Sequence, residues 1–187
     1  MIIPKLQNDR LRGIGLVAAF FTALSLQTLA PAHADLGAPA KIVPAAALVG
    51  EGRMTFLGFR VFDAELYAAG GTYKASAPFA LKLTYLRSFK GAAITDSTIK
   101  EMRRQGMRDK ATLARWDKQM RAIFPNVSRG QSITGVRDSK GHTVFYLGQR
   151  RIGKIADKAF TRRFFAIWLG PNTKDPALRN RLIGRTS

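Results

Sequence analysis

The chain has 187 residues, with 31 Lys and Arg against 12 Asp and Glu, two histidines and no cysteine, for a formal net charge of +19. Lack of cysteine excludes disulfides, a thiolate nucleophile, a Cys-built zinc cage and a lipoprotein anchor. No Gly-x-Ser-x-Gly elbow, Walker loop or dinucleotide fingerprint occurs, so hydrolase, metalloenzyme and nucleotide-dependent classes fall away and no cofactor or metal is expected.

Lys5, Arg10 and Arg12 form a basic start, residues 14–26 an apolar run too short for a comfortable membrane span, and Ala32-His33-Ala34 a small-x-small site. These features predict a signal peptide over residues 1–34, cleaved after Ala34, and export to the periplasm. Thr22, Ser25, Gln27 and Thr28 weaken the rival reading, an uncleaved anchor. The leader takes three cations and Asp9 with it, which leaves about +17 on residues 35–187. His142 is then the only histidine, too few for a His-type zinc site, and it sits in a polar hairpin where it is expected exposed. The remaining length fits one domain.

Residues 35–44 are rich in Ala and Pro and read as a loose lead-in. Residues 53–68 read as two strands or one bent strand. Leu57, Phe59 and Val61 share one parity and Phe62, Ala64 and Leu66 the other, which predicts a bulge, a turn near Gly58, or burial on both sides. Residues 79–86 alternate as a half-buried strand, with Phe79, Leu81, Leu83 and Tyr85 inward. A helix is predicted over 95–105, with Thr98 and Glu101 as a capping box and Gly106 as its stop. A clearer helix covers 111–124, with Leu113, Trp116, Met120 and Ile123/Phe124 on one stripe and Pro125 at its end.

Residues 131–136 and 142–147 read as a hairpin around Asp138-Ser139-Lys140-Gly141, followed by a strand over 151–155. Asp157 caps a helix carrying Phe160, Phe164, Ile167 and Trp168 and stopped by Gly170-Pro171. Asp175-Pro176 opens a last helix ending at Gly184. Strands, helices, strands, helices make an α+β domain: an antiparallel β-sheet with a layer of helices packed on one face.

The run from Val49 through Gly50-Glu51-Gly52-Arg53 to Leu66-Tyr67 resembles the opening strands of the chalcone isomerase-like family. The resemblance continues through the 79–85 strand and its following helix, Ile123-Phe124-Pro125 to Ile133, the Arg151-Ile152-Gly153-Lys154-Ile155 strand and the Phe160-to-Gly170 helix. Over roughly residues 48–184 the order matches, and it looks most like the exported bacterial branch. The resemblance implies an open-faced sandwich and, in the plant enzymes, closure of a chalcone to a flavanone with an arginine at the position of Arg53 holding the anion.

Three polar helix residues of those enzymes, a tyrosine, a lysine and an asparagine, fall here on Ile94, Ser97 and Glu101, and a strand threonine on about Phe62. Without them the transition-state anion loses most of its stabilisation, so isomerase activity on an enone-like substrate is kept only as an alternative. Family members lacking that set bind fatty acids. The resemblance therefore implies a non-catalytic binder of a fatty acid or similar amphipathic carboxylate, with Arg53 as headgroup anchor and Phe62, Leu83 and Tyr85 as apolar lining. Tyr67 or Thr84 is expected to add a hydrogen bond, and Phe56, Phe59 and Leu66 more lining. The plainer reading makes Arg53 a solvated charge and the aromatics core.

Charge supplies a second alternative. Residues 100–121 hold eight cations against Glu101, Asp109 and Asp117, and residues 150–185 hold ten against Asp157 and Asp175. Adhesion to an anionic membrane surface or lipopolysaccharide fits this balance, against the plainer reading of solvated helix faces. Without a reader motif, no specific nucleic acid is expected.

Overall fold

Six strands pair in sequence order, each antiparallel to its neighbour: β1 (Ala46–Phe56), β2 (Phe59–Ala69), β3 (Phe79–Tyr85), β4 (Ser132–Arg137), β5 (Thr143–Leu147) and β6 (Arg150–Ile155). Helices α1 (Gly91–Arg104) and α2 (Lys110–Ile123) lie between β3 and β4, and α3 (Lys158–Leu169) and α4 (Pro176–Leu182) follow β6. This is the expected α+β sandwich. The computed structural model describes residues 36–185. The leader expected over residues 1–34 lies outside the described residues.

The helices share one face of the sheet because the strands present one apolar parity to them. Leu66, Leu81, Gly135, Phe145 and Gly153 form one cross-strand row. Gly153 carries no side chain where a Cβ would stand 2.6 Å from Ile123, so α2 seats directly on β6. Phe145 is fully buried, with Phe124 and Phe164 edge-on to it at 5.0 and 5.2 Å between ring centroids. Each such buried ring contributes about 1.5–3 kcal/mol.

Helix ends follow local chemistry. Asp109, Asp157 and Asp175 accept backbone N–H groups at the starts of α2, α3 and α4, and Gly106 closes α1 at φ 92°. The start of α1 differs from expectation. It begins at Gly91, whose N–H donates to Asn126 Oδ1 at 3.1 Å. A Cβ there would lie 2.1 Å from the Phe124 carbonyl oxygen. Thr98 is therefore inside the helix, where its hydroxyl donates to the Ile94 carbonyl at 2.8 Å, and it caps nothing.

Two further findings concern the sheet's other face and its end. The lead-in is not loose. A 3-10 turn, Ala38–Ile42, buries Leu36, Pro39 and Val43, and Leu36 and Val43 cluster with Tyr67, Ala80, Val136, Val144 and Tyr146. The second face is thus partly strapped rather than open. The parity switch between β1 and β2 has two sources: a Leu57-Gly58 turn with φ 48° and 77°, and a register shift between Met54 and Thr55 that leaves Val61 without a β1 partner. Leucine in the left-handed region costs about 1–3 kcal/mol.

Candidate functional site

Residues paired across antiparallel strands project to the same face, so the register assigns each expected site residue. Phe62 pairs with Tyr85 and Ala64 with Leu83, which places Phe62, Leu83 and Tyr85 together on the helix face, all buried. Arg53 pairs with Asp63, and Asp63 with Thr84, on the outer face. Tyr67 lies there too, with the strap. The sheet stands between the two groups.

Arg53's fork already holds a carboxylate. Its Nε and a terminal nitrogen donate to the two oxygens of Asp63 at 2.6 and 3.0 Å. The hydrogen bond first, and then the charge of Asp63, raise the Arg53 pKa further above its usual range. Beside it, Tyr67 donates to Glu65 at 2.6 Å and Lys82 pairs with Glu65 at 2.8 Å. The expected arrangement, with Arg53, Tyr67 and Thr84 around a ligand in the sheet–helix cleft, is therefore not the one found. Phe56 and Phe59 do not line the cleft either; they stand exposed at the β1–β2 tip, and Leu66 is core.

A different cation reaches the helix face. The β1 positions on that face are Gly50, Gly52 and Met54, opposite Leu66, Ala64 and Phe62. Helix α4 lands on the two glycines. A Cβ on Gly50 would lie 1.9 Å from the Arg181 carbonyl oxygen, and one on Gly52 would lie 2.9 Å from Arg181 Nε. The bare backbone lets the Arg181 side chain lie against β1. Among the described residues no carboxylate pairs with it.

From that guanidinium an apolar strip runs toward the sheet end. Half-buried Met54 faces Phe62, Phe62 packs edge-on to Tyr85 at 6.3 Å, and Tyr85 lies 5.6 Å from half-buried Phe89. Burial pushes the Tyr85 phenol well up, so it stays neutral. A free guanidinium beside apolar side chains suits an amphipathic anion. Sequence reasoning missed Arg181 because its place depends on where α4 lands, which no local pattern records.

The description "chalcone isomerase-like" belongs to the family model that matches residues 47–184. The chain belongs to the chalcone isomerase-like family. Among solved structures it is similar to a fatty-acid binding protein of Arabidopsis thaliana, at 14% identity and a TM-score of 0.57, covering 75% of this chain and 87% of that one. That likeness shows the fold. No curated protein matches the chain.

On this chalcone isomerase-like scaffold, α1 turns Ile94 partly into the core and Ser97 to solvent. Glu101 is buried and held by Arg104, by Gln105 and by Lys174 at 3.2 Å. Burial pushes its carboxyl up, and these partners together pull it below the usual range. Glu101 thus ties α1 to the segment before α4. His142 is half-buried rather than exposed, its Nδ1 3.9 Å from Asp138 without a hydrogen bond. An open groove of about 690 Å³ also lies on the outside of α2 and α3, lined by Trp116, Asp157, Arg115, Arg162 and Arg163 among others. Its Trp116–Asp157 hydrogen bond, 2.9 Å, is part of the α3 cap.

Proposed function

We propose that this chalcone isomerase-like protein binds a fatty acid or a similar small amphipathic carboxylate on the helix face of β1–β2. Arg181 holds the carboxylate, and Met54, Phe62, Leu83 and Tyr85 cover the chain. The observation that carries this reading is the Arg181 guanidinium lying over Gly52 without a carboxylate partner, next to that apolar strip. Family membership and the fold shared with a fatty-acid binding protein support it.

Each buried methylene contributes ~0.8 kcal/mol, so the chain supplies most of the affinity and the guanidinium sets its direction. Arg53, the anchor implied by the family resemblance, would have to leave Asp63 and act from the other side of the sheet. Binding is favoured over isomerisation because Phe62 and Ile94 are apolar, the Ser97 hydroxyl faces solvent, and Glu101 is engaged elsewhere, which leaves a developing anion without polar partners.

The basic start, apolar run and small-x-small site within residues 1–34 support export to the periplasm with cleavage after Ala34; N-terminal sequencing of the exported protein reads this directly. Native mass spectrometry of that protein tests the binding. A co-purifying acyl chain that is lost in Arg181→Ala and kept in Arg53→Ala is expected. Retention in Arg181→Ala with loss in Arg53→Ala would overturn the placement.

A further inference from the structure

We propose that the end of the sheet bearing the β1–β2 tip docks on an anionic phospholipid bilayer. Phe56, Leu57 and Phe59 enter the headgroup layer and the surrounding arginines hold lipid phosphates. Three observations meet at this end.

The first is the tip. Phe56, Leu57 and Phe59 are 61%, 80% and 59% exposed, all at one two-residue turn. Residues with positive φ in such turns are normally Gly, Asn or Asp. Leu57 has φ 48°. It is disfavoured there by its backbone and by its contact with water, and a bilayer relieves the second of these.

The second is charge. The ends of β1, β3 and β5 and the starts of β2, β4 and β6 meet at this edge. They and their connections bring together Arg60, Arg87, Arg129, Arg150 and Arg151, all exposed. Residues 54–60, 86–90, 128–131 and 147–152 contain no Asp or Glu. The nearest carboxylate on the hairpin, Asp63, is neutralised by Arg53. At the opposite end Asp138 pairs with Lys154, and Lys74 and Lys140 stand exposed, so that end is basic as well; what sets the tip end apart is that its cations accompany three exposed apolar side chains.

The third is a contact. The Arg87 guanidinium lies over the Phe59 ring, 4.8 Å from its centroid. A cation on an aromatic face, one side apolar and the other wet, matches the headgroup boundary. A short apolar prong with cations beside it and along the same sheet end is what interfacial binding needs: small insertion plus attraction to anionic lipid. A flat protein interface would need a broader patch than three side chains supply.

The test uses residues 35–187, which include the whole described core, and extruded vesicles of equal parts phosphatidylcholine and phosphatidylglycerol. Wild type is expected to sediment with these and to stay in solution with pure phosphatidylcholine vesicles. The double variant Leu57→Asn, Phe59→Ser is expected to lose partitioning by about tenfold. Its melting temperature should not fall, because Asn suits the turn and both replaced side chains are mostly exposed. Equal partitioning of variant and wild type would overturn the proposal, as would wild type remaining in solution. A dimer that the double variant abolishes, without sedimentation, would also overturn it and make the tip an interface between copies. None of these results depends on Arg181, so failure here leaves the ligand site untouched, and the reverse holds.

Discussion

The two faces of the sheet bury their residues by different means. On the helix face, rings pack on rings: Phe145 and Phe160 pack against Phe164, Phe164 and Phe165 fill the space left by Gly135, and Ile123 fills that left by Gly153. On the outer face a short strap covers Tyr67, Val136 and Val144, and the remainder is closed by cross-strand ion pairs, Arg53 with Asp63 and Glu65 with Lys82. The lesson concerns arginines. A cation paired across two strands on a wet face has its charge already answered within the sheet. A cation brought in by a helix over bare glycine backbone stays available to something else.

Replacing Phe145 by Ala should be the largest blow, about 3–5 kcal/mol in urea unfolding, because it removes a fully buried ring from the centre of the cluster. Leu36→Ala removes strap packing from the outer face and should cost less, about 1–3 kcal/mol; an equal loss would erase the difference between the faces. Gly50→Ala should push α4 off β1, since its Cβ would meet the backbone carbonyl of Arg181, for a loss of about 1–3 kcal/mol and weaker ligand retention.

Acid sharpens the comparison further. Glu101, Asp138 and Asp157 are all held below their ordinary values, 4.5 for Glu101 and 3.8 for the two aspartates. For each, burial pushes the carboxyl up, and hydrogen bonds and cations together pull it further down. A depressed native pKa gives stability that is complete above the unfolded value and is lost as pH falls through the folded one. Melting temperature should therefore hold on acidification to about pH 5 and decline below about pH 4. Asp157→Asn should flatten that decline. Smallest of all, Arg53→Ala should leave the unfolding curve nearly unchanged, since an exposed pair contributes little.

Much of the fold was legible because its signals are local. Strand parity, Asp157 and Asp175-Pro176 as helix starts, and Gly106 and Gly184 as stops each depend on a few adjacent residues. The site was legible only in part. Phe62, Leu83 and Tyr85 share a face because their spacing within β2 and β3 and the register between them agree. Arg53 fell on the other face because a one-residue change in parity reverses every side chain, and parity alone does not relate β1 to β2 across a turn and a bulge. The strap was hidden because an Ala/Pro stretch has no period and its partners lie on β2 to β5. The start of α1 was hidden because Gly91, a poor helix former, is required there by the Phe124 carbonyl rather than by its own segment.

The central claim is that a carboxylate is held from the helix face. Titration calorimetry of palmitate into delipidated residues 35–187, with Arg181→Ala and Arg53→Ala in parallel, tests it most directly. Equimolar binding, weakened about tenfold or more in Arg181→Ala and unchanged in Arg53→Ala, is the predicted result. No binding to the wild type, or a loss confined to Arg53→Ala, would contradict it.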